Sequence, residues 1–144
     1  MAGQHWMDAV RTQREVRQHL TELVATSARD LRRLIGGFSN GGRAALLLAL
    51  TGVVPASQIV SVGATLRDET LAAIDWQALG SAGSPRVLWI VGNQDMAVLP
   101  HITGQADLFS QNGVDVTVQV IPHPGYTVPL DLSACVAAWD TRGN

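Results

Sequence analysis

Short apolar runs alternate with segments whose apolar residues recur at helical spacing, and this alternation predicts the order of elements. Trp6, Ala9, Val10, Val16, Leu20, Leu23 and Val24 share one face of residues 6–27, with Arg11, Arg14, Glu15, Arg17 and Glu22 filling the other. That pattern predicts an amphipathic helix. Residues 31–38 turn continuously apolar toward Phe38, as strands buried in parallel sheets do. Residues 40–51 have an Ala/Leu-rich body closed by Gly52 and Pro55, which predicts a helix. Further strands are expected at 58–62, 86–91 and 114–121, and further helices at 101–112 and 129–139, with Pro129 in the first turn of the last. Residues 66–78 are polar and mixed, and one short helix is expected there. The order α-β-α-β-(α)-β-α-β-α predicts one α/β domain over residues 1–144, three-layer α/β/α around a mostly parallel sheet of about four strands. Reactive groups in such a sheet collect at the carboxyl ends of the strands. Three loops fall there: one with Ser39, one with Asp95, and one with His123 and Tyr126.

The first of these loops reads Gly37-Phe38-Ser39-Asn40-Gly41-Gly42, a G-x-S-x-G pattern between a strand and a helix. In that context the pattern is a nucleophile elbow: a sharp turn holds the Ser hydroxyl clear of the backbone, and small neighbours avoid a clash. The plainer alternative is a Gly-rich turn whose Ser only caps the following helix. Phosphate binding is a further use of such turns. Neither nucleotide fingerprint is met, however: G-x-G-x-x-G does not occur, and a Walker pattern begun at Gly37 meets Arg43 and Ala44 where Lys and Ser/Thr are needed. The strand over 86–91 leads into Gly92-Asn93-Gln94-Asp95. A carboxylate there can orient an imidazole from a neighbouring loop; it can equally bind nearby backbone amides. The order Ser39, Asp95, His123 favours the first role.

Composition narrows the chemistry. A net charge of −2, with 47% hydrophobic and 15% charged residues, gives no expectation of nucleic-acid or anionic-membrane binding. All ten basic residues are Arg, so Schiff-base chemistry and a Ser-Lys dyad within the chain are excluded. The single cysteine, Cys135, lies on an apolar helical face with Leu132, Val136 and Trp139 and is expected to be buried and structural. With no disulfide possible within the chain, a reducing compartment fits. Residues 1–20 lack the apolar core of a signal peptide, and no stretch approaches 18 apolar residues, so a soluble cytoplasmic protein is expected. One Cys and four scattered His make no metal-ligand spacing, and no metal or cofactor is expected. Trp6, Trp89 and Trp139 are expected in the core or an interface, and Trp76 is a candidate for lining a pocket. His5, His19 and His101 are expected at the surface or a helix end.

The ordered set Ser39, Asp95 and the final loop resembles the α/β-hydrolase superfamily, in particular its phospholipase/carboxylesterase group with dienelactone-hydrolase-like esterases. Residues 30–42, 86–100 and 114–129 carry the likeness. It runs over nearly the whole chain but only the C-terminal half of the family's fold, so a truncated α/β-hydrolase fold is expected. The resemblance implies Ser39 as nucleophile, Asp95 as triad acid and the Asn40 backbone N–H as oxyanion-hole donor. Family members read G-H-x-x-P in the last loop. Here Gly125-Tyr126-Thr127-Val128-Pro129 occupies that place, so Tyr126 stands at the family's histidine. A phenol cannot shuttle a proton at neutral pH as imidazole does. His123, three residues earlier and within roughly 10 Å along the chain, is the candidate base. The family also has strands before the elbow that donate a second oxyanion amide. Without them, Leu34–Phe38 becomes an apolar edge strand. A second copy, another chain or the N-terminal helix is expected to cover it, a homodimer through this strand giving one continuous sheet.

Two functions follow. One is a serine hydrolase of small carboxylic esters or thioesters, with no long insertion that reads as a lid. The other is a catalytically inactive hydrolase-like scaffold acting in binding or assembly, to which Tyr126 and the missing strands point.

Overall fold

Six consecutive residues of the strand Arg86–Gly92 are buried, with Val87, Trp89 and Val91 on one face and Leu88 and Ile90 on the other. An unbroken apolar run of this kind fits only a strand covered on both sides. The computed structural model describes residues 34–122, 129 and 131–142 and builds its layers around that strand. The elements are β1 (Leu34–Phe38), α1 (Asn40–Leu50), β2 (Gln58–Val62), α2 (Asp68–Ala73), α3 (Trp76–Ser81), β3 (Arg86–Gly92), α4 (Leu99–Gln111), β4 (Asp115–Ile121) and α5 (Leu132–Arg142). The expected helix over 6–27 lies outside the described residues.

The four strands pair in parallel in the order β1-β2-β3-β4, with Leu34 opposite Gln58, Gln58 opposite Arg86, and Arg86 opposite Asp115. One face packs Ile59, Val87, Trp89 and Val91 against α1 and against Ile102 and Phe109 of α4. The other packs Val60, Val62, Leu88, Ile90 and Ile121 against Cys135 and Trp139 of α5. The three-layer α/β architecture expected from the sequence is the one observed. Cys135 is buried, as its helical face requires. No helix among the described residues is long and apolar enough to cross a membrane.

Several expectations are corrected. Residues 66–78 hold two short helices: the Asp75 carboxylate accepts the Ala78 N–H at 3.0 Å and caps a new one. Trp76 is half-buried and packs edge-on against Phe109 at 5.2 Å at the border of the core. Helix α4 starts at Leu99 rather than 101, because Pro100 fits a first turn that needs no proline N–H. The last helix starts at Leu132 rather than at Pro129, which sits one turn outside it. The strand ending at Phe38 is only half-buried, because it has a neighbour on one side alone among the described residues; Leu34 is 47% exposed.

The amino end of the sheet is closed by side chains. Gln58 donates to Asp140. Arg86 Nη2 donates to the Trp139 carbonyl at 2.9 Å while its guanidinium lies 4.6 Å over the Trp139 ring. Arg86 also pairs with the exposed Asp115 at 3.4 Å.

Candidate active site

Ser39 makes the whole change from strand to helix in one residue. Its N–H still belongs to the sheet, donating to the Val62 carbonyl at 2.9 Å, while its carbonyl already accepts the Arg43 N–H at 3.0 Å. That double duty forces φ 59° and ψ −123°. Among the described residues, no other non-glycine has a positive φ. Such a conformation costs about 1–3 kcal/mol and persists only where the surroundings impose it. The capping alternative fails: the Ser39 side chain makes no capping hydrogen bond to α1.

The surrounding glycines impose the turn. A Cβ on Gly37 would lie 2.6 Å from the Gly41 carbonyl oxygen, and one on Gly42 would lie 2.7 Å from Ser61 Oγ and 2.9 Å from the Gly37 carbonyl oxygen. The strand end, the first turn of α1 and β2 therefore touch backbone to backbone. Gly41 is different. Its Cβ would meet nothing within 4 Å, so the expectation that both glycines of the pattern are sterically required holds for Gly37 and moves from Gly41 to Gly42.

Asn40 opens α1. The first N–H groups of a helix have no intrahelical acceptor, and that of Asn40 has no backbone partner among the described residues. It lies one residue beyond Ser39, at the positive end of the helix.

Asp95 ends the turn that follows β3. The turn is tied to the next strand by Asn93 N–H donating to the Ile121 carbonyl at 2.9 Å. The Asp95 backbone carbonyl, not its carboxylate, accepts the Val98 and Leu99 N–H groups that start α4. The residue is buried, at 6% exposure.

Ser39 and Asp95 thus stand at the same end of the sheet, after β1 and β3, with β2 between them. At about 4.8 Å per strand their turns are roughly 10 Å apart, too far for direct contact and a span that one intervening imidazole can bridge. Strand β4 ends beside Asp95 at Ile121. His123 and Tyr126, which follow, lie outside the described residues. His101 is exposed in the first turn of α4.

Sequence reasoning missed the loop after β2. Thr65, Leu66, Arg67, Asp68, Glu69, His101 and Gln105 line a cavity of about 350 Å³ at this end of the fold. One signal was present: Gln105 is a polar residue on the apolar stripe of a helix, between Ile102 and Phe109.

No family model matches the chain, and no curated protein matches it. Solved structures do. An uncharacterized protein from Bacillus cereus superposes with a TM-score of 0.76 at 18% identity, over 95% of this chain and 44% of its own. Acyl-protein thioesterase 2 from Zea mays superposes with a TM-score of 0.71 at 22% identity, over 94% of this chain and 65% of its own. A carboxylesterase from Mesorhizobium loti gives 0.59 at 22% identity, over 75% and 48%. The chain therefore spans about half to two thirds of the length of these proteins. The likeness is one of fold: the chain carries part of an α/β-hydrolase fold.

Proposed function

We propose that the protein is a serine hydrolase of carboxylic esters or thioesters. Ser39 is the nucleophile at the elbow, His123 the base, Asp95 the residue that orients it, and the Asn40 N–H the oxyanion donor. The observation that carries this reading is the strained, uncapped Ser39 at the strand-to-helix turn. Its Oγ would attack the acyl carbon as its proton passes to the imidazole. The tetrahedral oxyanion would then collapse, expelling an alcohol or thiol, and water would release the acid from the acyl-enzyme. The acyl chemistry in the names of the Zea mays and Mesorhizobium loti proteins supports the substrate class. A reducing, cytoplasmic setting is part of the same proposal, supported by a lone buried cysteine. Pairing of β1, which has one strand neighbour among the described residues, with a second copy is its proposed quaternary arrangement, supported by the exposed Leu34.

Hydrolysis of short-chain aryl esters and acyl thioesters by wild type, lost in Ser39→Ala, is the expected result. Equal rates in the two proteins would reject it. The second reading, an inactive scaffold, is favoured by Tyr126 at the family's histidine position. Under that reading wild type is inert and Tyr126→His gains esterase activity.

A further inference from the structure

Side chains from four elements converge on three successive residues of the loop after β2. The Ala64 carbonyl accepts from Trp89 Nε1 at 2.8 Å and from Ser61 Oγ at 3.2 Å. The Thr65 carbonyl accepts from Arg43 Nε at 2.9 Å. Leu66 donates its N–H to Gln105 Oε1 at 3.0 Å and accepts from Gln105 Nε2 at 2.7 Å. The Gln105 amide therefore meets both backbone groups of Leu66, as a neighbouring strand would.

Packing does not explain Gln105. It is 9% exposed on the core stripe of α4, where Ile102 and Phe109 are its fellows. A buried amide there is costly unless both of its ends are paired. What it reaches explains it better. Arg43 sits in the first turn of α1, and its N–H bonds the Ser39 carbonyl. Helix α4 starts from the Asp95 carbonyl. The path Ser39, Arg43, Thr65, Leu66, Gln105, α4, Asp95 therefore crosses above β2, the strand that separates the two turns. Each turn has one backbone tie to the sheet, Ser39 N–H to the Val62 carbonyl and Asn93 N–H to the Ile121 carbonyl; this loop adds a connection between the two turns.

We infer that Gln105 is a positioning residue: its two hydrogen bonds to Leu66, together with the Arg43–Thr65 bond, brace the Ser39 turn against the Asp95 turn. The functional side of this rests on the proposed pairing of Ser39 with Asp95. Groups that act through one imidazole must be held to within about 0.5 Å, and a misplacement near 1 Å can cost about a hundredfold in rate.

The test compares the full-length wild type with Gln105→Met, similar in length and apolar, and Gln105→Glu, which keeps an acceptor for Leu66 N–H but cannot donate when ionised. Two quantities are read: amide hydrogen exchange, residue by residue, and the rate of Ser39 labelling by a fluorophosphonate. In Gln105→Met, exchange at Arg43, Leu66 and Leu99 should quicken at least about tenfold. The Arg86 N–H, bonded to the Ser57 carbonyl at the far end of the sheet, should not change. Labelling should slow roughly tenfold to a hundredfold. Unchanged exchange at Arg43 and Leu99, or an equal rise at Arg86, overturns the brace. If Gln105→Met does not fold, the same amides in Gln105→Glu decide it by the same criterion. If wild type is not labelled at all, the hydrolase reading falls, and the exchange pattern alone still decides whether the brace exists.

Discussion

At the amino end of the sheet the first residues of β2, β3 and β4 are tied down: Gln58 to Asp140, Arg86 to the carbonyl and ring of Trp139, and Asp115 to Arg86. At the carboxyl end β1 delivers a serine with φ 59° whose side chain does not cap the following helix, and β3 leads to the buried Asp95. The amino end carries side-chain ties between strands and the last helix; the carboxyl end accepts backbone strain, at about 1–3 kcal/mol for Ser39 alone. Natural proteins concentrate such unfavourable features where chemistry is done. The difference between the ends, more than either end alone, supports the proposal that Ser39 is the reactive group.

The largest effect should come from separating the two ends chemically. Asp95→Asn should lower esterase activity by roughly 10²–10⁴, since an amide cannot hold an imidazolium as a carboxylate does, while the melting temperature stays near wild type. A full-strength Asp95→Asn enzyme would remove Asp95 from the site. Next in size are the glycines. Gly37→Ala and Gly42→Ala should each cost roughly 1–3 kcal/mol in chemical denaturation, because the added methyl meets backbone or Ser61. Gly41→Ala should be neutral or stabilising by up to about 1 kcal/mol, since it enters open space in a helix. A reversed order would contradict the packing described for the turn. At the opposite end, Arg86→Met should cost about 1–2 kcal/mol through the lost hydrogen bond and ring contact, with no change in the activity per folded molecule. The smallest shift is the most diagnostic of strain: Ser39→Gly should raise stability by about 1 kcal/mol while abolishing activity.

Much of this contrast was legible in the sequence, and the exceptions have physical causes. Strand β2 was expected at the five residues where it occurs, because the β-branched Ile59, Val60 and Val62 lie between the turn residues Pro55 and Gly63. The serine turn stood out because few residue orders tolerate it. The two short helices after β2 were not separable: neither holds a buried residue, so no periodic stripe marks them, and the break depends on one Asp75 cap. Prolines misplaced two helix starts, since Pro100 lies inside a first turn and Pro129 outside one, and the local sequence does not distinguish the cases. The tight fit at Gly42 was not legible locally because one contact that fixes it comes from Ser61, on another strand. Gln105 was missed for the same reason, its partner being 39 residues away in the chain. Local pattern carries the elements; the contacts that brace the site are long-range.

The most direct test of the account is the intact mass of folded wild-type protein after exposure to a fluorophosphonate, with the adduct mapped by peptide sequencing. One adduct per chain at Ser39, absent from Ser39→Ala and not formed when the protein is unfolded before exposure, is the predicted result. No adduct on folded protein, or equal labelling of protein unfolded before exposure, would mean that no base reaches Ser39 and that the strained turn is architecture without chemistry.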